Sequence, residues 1–173
     1  MATISNTTAL DPAKGCAQAH TPVSRSFDHL NGCLDAVIVQ EQRLDARDID
    51  VLSSTFKTAL AEAEAAREAL CEAVGDVLIA PDYRPEDRGL RRLAHVLYVM
   101  LSMEDDGDRQ HFHHSTLRHR DIFHTDGGTP AARLTRRLSN SFFSHFDEMA
   151  SLREFGGDGH LACAEQDFAP VPA

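Results

Sequence analysis

The sequence predicts an all-α fold, an antiparallel bundle of about four main helices, and three observations carry that prediction. Apolar residues recur at steps of three and four along several long stretches, which is typical of helices that bury one face. Hydroxyl side chains and prolines stand where some of these stretches begin. The composition, 42% hydrophobic and 25% charged, is that of a globular chain.

A chain of 173 residues is long enough for one ordinary domain. Residues 1–25 and 156–173 lack an apolar period and are predicted to be a mobile N-terminal tail and a flexible C-terminal tail, with the helical bundle domain at 26–155. The N-terminus lacks the basic region followed by an apolar run that is typical of a secretion signal. No apolar stretch is as long as a membrane-spanning helix. The sequence therefore predicts a cytoplasmic protein. Its four scattered cysteines, expected to be reduced, agree with this: Cys16, Cys33, Cys71 and Cys163.

The first helix is predicted to begin after Ser26, whose hydroxyl can cap an unpaired backbone N–H. Its apolar stripe has one polar interruption, Glu41, which is expected at the rim of the bundle rather than in its core. The stripe consists of Phe27, Leu30, Leu34, Val37 and Leu44.

The second helix, from about residue 50 to residue 79, has the most regular seam. Its middle positions are alanines, so we expect a partner helix to approach it closely. The seam residues are Leu52, Phe56, Ala59, Ala63, Ala66, Leu70, Ala73 and Val77.

The third helix, about 86–104, follows Pro85 and is apolar around most of its circumference, which predicts a central position in the bundle. Its apolar positions are Leu90, Leu93, Ala94, Val96, Leu97, Val99, Met100, Leu101 and Met103.

The fourth helix is predicted to begin at Thr129 and Pro130 and to end near Gly156. Its seam consists of Leu138, Phe142, His145, Met149 and Leu152, flanked by Leu134 and Phe146.

Residues 105–128 fit neither a helical nor a strand period and are expected to form a long irregular connection. With carboxylates nearby, the histidines of this segment could form a metal or haem site, for which zinc or iron is the natural ion. The alternatives are a polar, partly mobile loop and a pH-sensitive loop. The candidate ligands are His111, His113, His114, His119 and His124.

His145 lies on the seam of the fourth helix, between Phe142 and Met149, and is expected to be partly buried. A core histidine satisfied by backbone or carboxylate is one interpretation, and a ligand or general base is the other. Glu148, three residues further on, shares its general face and is the companion candidate.

Two short segments resemble known families. Leu93-Ala94-His95-Val96-Leu97 looks like the phosphorylatable helix of histidine phosphotransfer domains, which are small helical bundles. Tyr98 and Val99 stand where that family has lysine and glycine. The serine- and threonine-rich start of the chain resembles the N-termini of type III secreted effectors, which implies an export signal.

The net charge of −10 disfavours nucleic acid and anionic membranes as partners, although two groups of arginines stand out. The leading hypothesis is a non-enzymatic helical adaptor or regulatory protein that acts through a protein partner or as a homo-oligomer. A metal- or haem-binding bundle and an exported effector are the alternatives. The two arginine groups are Arg84, Arg88, Arg91 and Arg92, and Arg133, Arg136 and Arg137; the acidic residues between them include Glu86, Asp87 and Asp121.

Overall fold

The computed structural model describes residues 20–45 and 53–156, and within them the all-α prediction is confirmed. This part of the chain contains no strand, and none of its helices is long and apolar enough to cross a membrane. The predicted tail residues 1–19 and 157–173 lie outside the described residues. In chain order the elements are α1 (Pro22–Asp45), α2 (Ser54–Ile79), α3 (Asp87–Ser102), α4 (Asp106–Arg118), a 3₁₀ helix (Arg120–Phe123), α5 (Pro130–Ala150) and a second 3₁₀ helix (Arg153–Phe155).

The first helix begins at Pro22, five residues before the start predicted after Ser26, so residues 22–25 belong to α1 and not to a tail. Thr21 is the capping residue: its hydroxyl accepts a hydrogen bond from Ser24 N at 3.1 Å, and its own N–H donates to Ser24 Oγ at 2.8 Å. Pro22 occupies the first helical position, where a missing N–H costs nothing. The sequence predicts the later start because its apolar stripe becomes evident only from Phe27 onward.

α2 begins at Ser54, and its cap is the Ser53 hydroxyl, which accepts from Phe56 N at 3.1 Å. The predicted start near residue 50 and the seam residue Leu52 lie outside the described residues. α1 is the main packing partner of the alanine seam. Ala59, Ala63 and Ala73 are buried there, as expected for side chains that let two backbones approach.

α3 lies in the middle of the bundle, in contact with α1, α2, α4, α5 and the first 3₁₀ helix. Most of its apolar circumference is covered by these neighbours. Tyr98 and Val99 are the large apolar side chains of α3 that stay exposed. Five side chains of this helix are completely buried: Leu90, Leu93, Ala94, Leu97 and Met100.

The prediction of an irregular connection at 105–128 is wrong, because most of it is helical. Asp105 caps α4 by accepting a hydrogen bond from Asp108 N at 2.8 Å. The inward face of α4 includes His113 and Thr116 as its two buried residues, so an apolar period was never present. Phe112 and Leu117 sit beside them, half-buried against the core.

This extra helix changes the direction of the last one. α4 returns the chain to the end of the bundle where α3 began, so α5 runs parallel to α1. The contacts between α1 and α5 advance together along both helices: Asn31 with Leu138, Asp35 with His145, and Gln42 with Glu148. Within the described residues, five helices therefore alternate in direction, where the sequence predicts about four main helices.

α5 begins as the sequence predicts. Thr129 Oγ1 accepts from Ala132 N at 3.0 Å, and Pro130 opens the helix. The helix ends at Ala150, before the predicted Gly156. Gly156, with a φ of 82°, instead ends the short 3₁₀ helix that follows. The apolar seam of α5 is buried as predicted. At its centre the Phe142 and Phe146 rings stack, with their centroids 5.4 Å apart.

Candidate functional site

The structure does not gather the five candidate metal ligands at one point. On α4 the helical turn directs His113 inward and leaves His111 and His114 exposed. His119 and His124 flank the first 3₁₀ helix and are also exposed. Within residues 20–45 and 53–156, no three His, Cys, Asp or Glu side chains are placed to hold a metal ion.

His113 instead belongs to the contact between α4 and α5. Its ring lies 5.3 Å from the Phe146 ring, and Nε2 lies 3.2 Å from Asp147 Oδ1. This distance is within reach of a hydrogen bond, but Nε2 meets the geometric criteria for one with no group of the described residues. Burial lowers the pKa of His113, and the nearby His114 acts in the same direction, while Asp147 opposes them. Burial therefore favours the neutral imidazole in the docked helix.

His145 is partly buried, as predicted, but its companion is not Glu148. His145 Nε2 lies 3.9 Å from Asp35 Oδ1 on α1, a distant contact with a largely exposed carboxylate. Glu148 accepts a hydrogen bond from Gln42 Nε2 at 3.0 Å instead. The two sequence candidates thus contact α1 at separate residues.

Glu41 is buried, contrary to the prediction that it lies at the rim. It pairs with Arg67, whose Nε donates to Glu41 Oε1 at 2.7 Å. Burial raises the pKa of the Glu41 carboxyl, and Arg67 only partly offsets that effect. Arg67 also lies 3.8 Å from Glu154, so this pair ties α1 and α2 to the end of the described chain.

The charged side chains are distributed unevenly between the two ends of the bundle. One end, which we call the acidic end, joins the C-terminal turns of α1 and α5 to the first half of α2 and the start of α4. The Glu41–Arg67 and Gln42–Glu148 contacts hold these elements together. Its exposed carboxylates are Asp45, Glu62, Glu64, Glu68, Glu104, Asp105, Asp106, Asp108, Asp147, Glu148 and Glu154.

The opposite end, which we call the basic end, collects arginines from three stretches of chain. The start of α3, the first 3₁₀ helix and the first half of α5 meet there. Gly89 makes that meeting close, since a Cβ at this position would lie 3.2 Å from the Phe123 carbonyl oxygen. Arg136 donates to Gly127 O at 3.3 Å and joins α5 to the preceding loop. The arginines of this end are Arg84, Arg88, Arg91, Arg92, Arg118, Arg120, Arg133, Arg136 and Arg137.

Two of the acidic residues near these arginines are engaged in contacts, while Asp121 and Asp126 stay exposed beside them. Asp87 is buried and accepts hydrogen bonds from the Thr21 hydroxyl at 2.6 Å and from the backbone N–H groups of Tyr83 and Arg84 at 3.2 Å. It therefore fixes the loop before α3 to the start of α1 instead of facing solvent. Asp82 is occupied by Arg91, at 2.9 Å.

Between α3 and the first 3₁₀ helix, the basic end has an open cleft of about 340 Å³, which we call the arginine cleft. Arg88 and Arg92 form one side, and Ile122 and His124 form the other. Ile122 is 65% exposed, although the adjacent Phe123 is buried against Phe143. The remaining lining residues are Pro85, Glu86, Gly89, Phe123, Thr125 and Asp126.

This cleft was missed in the sequence because its two sides are about 30 residues apart. The sequence shows that Arg88 and Arg92 are four residues apart. It gives no sign of Ile122 and His124 as their neighbours, because both lie in the segment 105–128, which has no apolar period. His95, the residue on which the resemblance to phosphotransfer domains depends, is exposed on α3. Tyr98 and Val99, three and four residues further along the helix, are exposed as well.

No protein-family model matches the chain, and neither curated proteins nor solved structures show significant similarity to it. The functional argument consequently rests on the geometry and charge of the described residues.

Proposed function

We propose that the protein is a non-enzymatic helical adaptor that binds a protein partner through its basic end. One observation carries the proposal: nine arginines from three separate stretches of chain meet at one end of a molecule whose net charge is −10. Arginines concentrated at one end of an acidic molecule orient an approaching acidic partner, because the exposed carboxylates of the other end repel it.

The exposed side chains of this end suit a protein better than a nucleic acid. Arginine is enriched in protein interfaces, and Ile122 adds apolar area beside the arginines. A nucleic acid that spans more than the basic end would meet the carboxylates of the acidic end, which would repel its phosphates. We place this adaptor in the cytoplasm, in line with the free thiols of Cys33 and Cys71.

The test is a pair of triple charge reversals with equal change in net charge. One variant carries Arg88→Glu, Arg92→Glu and Arg137→Glu at the basic end. The control carries Arg43→Glu, Lys57→Glu and Arg153→Glu, all exposed and away from that end. Partners are captured by crosslinking in the producing cell and identified by mass spectrometry, and each purified partner is then titrated against both variants.

We expect the basic-end variant to bind an identified partner at least about tenfold more weakly than the control does, which corresponds to about 1.4 kcal/mol. The affinity of the unmodified protein should also fall as salt is added. Equal affinities for the two variants would overturn the proposal. So would light scattering that shows the captured partner to be a second copy of this chain, held in the control and lost in the basic-end variant.

A further inference from the structure

We propose that the arginine cleft binds an acidic peptide segment of the partner, with two carboxylates on Arg88 and Arg92 and an apolar side chain on Ile122. The inference rests on the proposed function and specifies the chemistry of the partner.

The arginine side of the cleft matches a pair of carboxylates. Arg88 and Arg92 are four residues apart on α3, so their side chains leave the same face about one turn, or roughly 6 Å, apart. Both are exposed, and neither has a side-chain ion pair within the described residues. A guanidinium binds a carboxylate through two parallel N–H donors, so each arginine can hold one acidic side chain.

The opposite side of the cleft supplies an apolar contact. Ile122 leaves about two thirds of its surface exposed and lines the cleft opposite the arginines. The buried Phe123 and its contact with Gly89 fix the backbone beneath it. A ligand that spans the cleft would therefore bury Ile122 while it pairs with the arginines.

The acidic residues in the lining distinguish a peptide from a phosphate chain. Glu86 and Asp126 line the same cleft as Arg88 and Arg92. They repel a dense chain of phosphates more strongly than two separated carboxylates, and they can accept hydrogen bonds from the backbone N–H groups of a peptide. An alternation of acidic and apolar residues is thus the sequence that this cleft fits.

The experiment uses the full chain and fluorescent peptides, with binding followed by anisotropy. The probe is a short peptide that alternates glutamate and leucine. One matched peptide replaces glutamate with glutamine, and another replaces leucine with serine. A single-stranded oligonucleotide of equal charge and anionic phospholipid vesicles are the competing ligands.

We expect Arg88→Glu with Arg92→Glu to weaken binding of the Glu/Leu peptide at least about tenfold. The control pair Lys57→Glu with Arg153→Glu, which changes net charge equally, should stay within about twofold. Ile122→Ser should lower the affinity by a smaller factor and abolish the preference for leucine over serine. Arg88→Lys with Arg92→Lys should recover part of the binding, since it restores charge without the paired donors.

Equal binding by the Arg88→Glu/Arg92→Glu variant and the control overturns the inference. Stronger binding of the oligonucleotide or the vesicles than of the peptide, lost in the same variant, also overturns it in favour of that ligand. The proposed function survives these outcomes if the triple basic-end variant still loses its captured protein partner, since Arg137 lies outside the cleft.

Discussion

α2 and α4 attach to the bundle in different ways, although both are helices that pack on their neighbours. α2 presents a seam of small and apolar side chains, with Leu70 and Val77 buried completely or almost so. α4 buries His113 and Thr116 and is held at its start by polar contacts. Arg109 donates to Met103 O at 2.7 Å and to Glu154 O at 3.1 Å, and Gln110 donates to Gly156 O.

The comparison shows which helices an apolar pattern reveals. A helix that docks by burying apolar surface must repeat that surface every three or four residues. A helix that docks through hydrogen bonds and a histidine carries no such repeat, so its inward face looks irregular in the sequence. A helix docked by apolar burial, such as α2, should contribute most to the free energy of global unfolding. A helix docked by polar contacts, such as α4, should detach locally at a smaller free-energy cost.

The largest expected effect is on α2. Leu70→Ala should lower the free energy of unfolding by about 2–5 kcal/mol, because it leaves a cavity at the centre of the packed core. Urea denaturation followed by circular dichroism measures the change. The exposed neighbour Glu68→Ala is the control and should leave the unfolding midpoint nearly unchanged. A loss below about 1 kcal/mol for Leu70→Ala would show that α2 is not the main support of the fold.

An intermediate effect is expected where the start of α4 meets Gly156. Gly156→Ala would place a Cβ 2.8 Å from the Cβ of Asp106, at a φ of 82° that favours glycine. We expect a loss of about 1–2 kcal/mol, concentrated in α4. Hydrogen exchange should show faster exchange of α4 amides, with α2 little changed. Gly32→Ala, where nothing lies within 4 Å, is the matched control, and an equal response of both helices to Gly156→Ala would contradict local docking.

The smallest effect is the dependence of α4 on pH. Because burial lowers the pKa of His113, the docked helix binds fewer protons than the free one. Its docking is therefore fully favoured above the ordinary histidine pKa of about 6.5 and is weakened as the pH falls through the lowered value. Exchange of α4 amides, corrected for intrinsic rates, should reveal this loss of protection.

The controls for this prediction separate His113 from the other histidines. His113→Phe should remove the pH dependence of α4, while His111→Leu, an exposed change on the same helix, should retain it. NMR titration of His113 should give a midpoint below about 6.5. A midpoint above that value would reverse the sign and show that Asp147 outweighs burial.

The sequence determined the elements whose own residues carry the signal. The Thr129-Pro130 start, the seam of α2 and the buried stripe of α1 all follow from local pattern, because capping and amphipathicity are properties of neighbouring residues. The same signal was present at Thr21-Pro22 and overlooked there. The burial of Glu41 was not predictable in this way, because its partner Arg67 comes from another helix.

Only the tertiary structure decided the return of the chain through α4 and, with it, the parallel course of α1 and α5. It also decided which arginines share a surface. Arg88 and Ile122 line one cleft because Gly89 lets Phe123 approach, while Asp87 is withdrawn from that surface by Thr21. Such contacts join residues far apart in the chain, and their free energy depends on burial and partner geometry that no local repeat records.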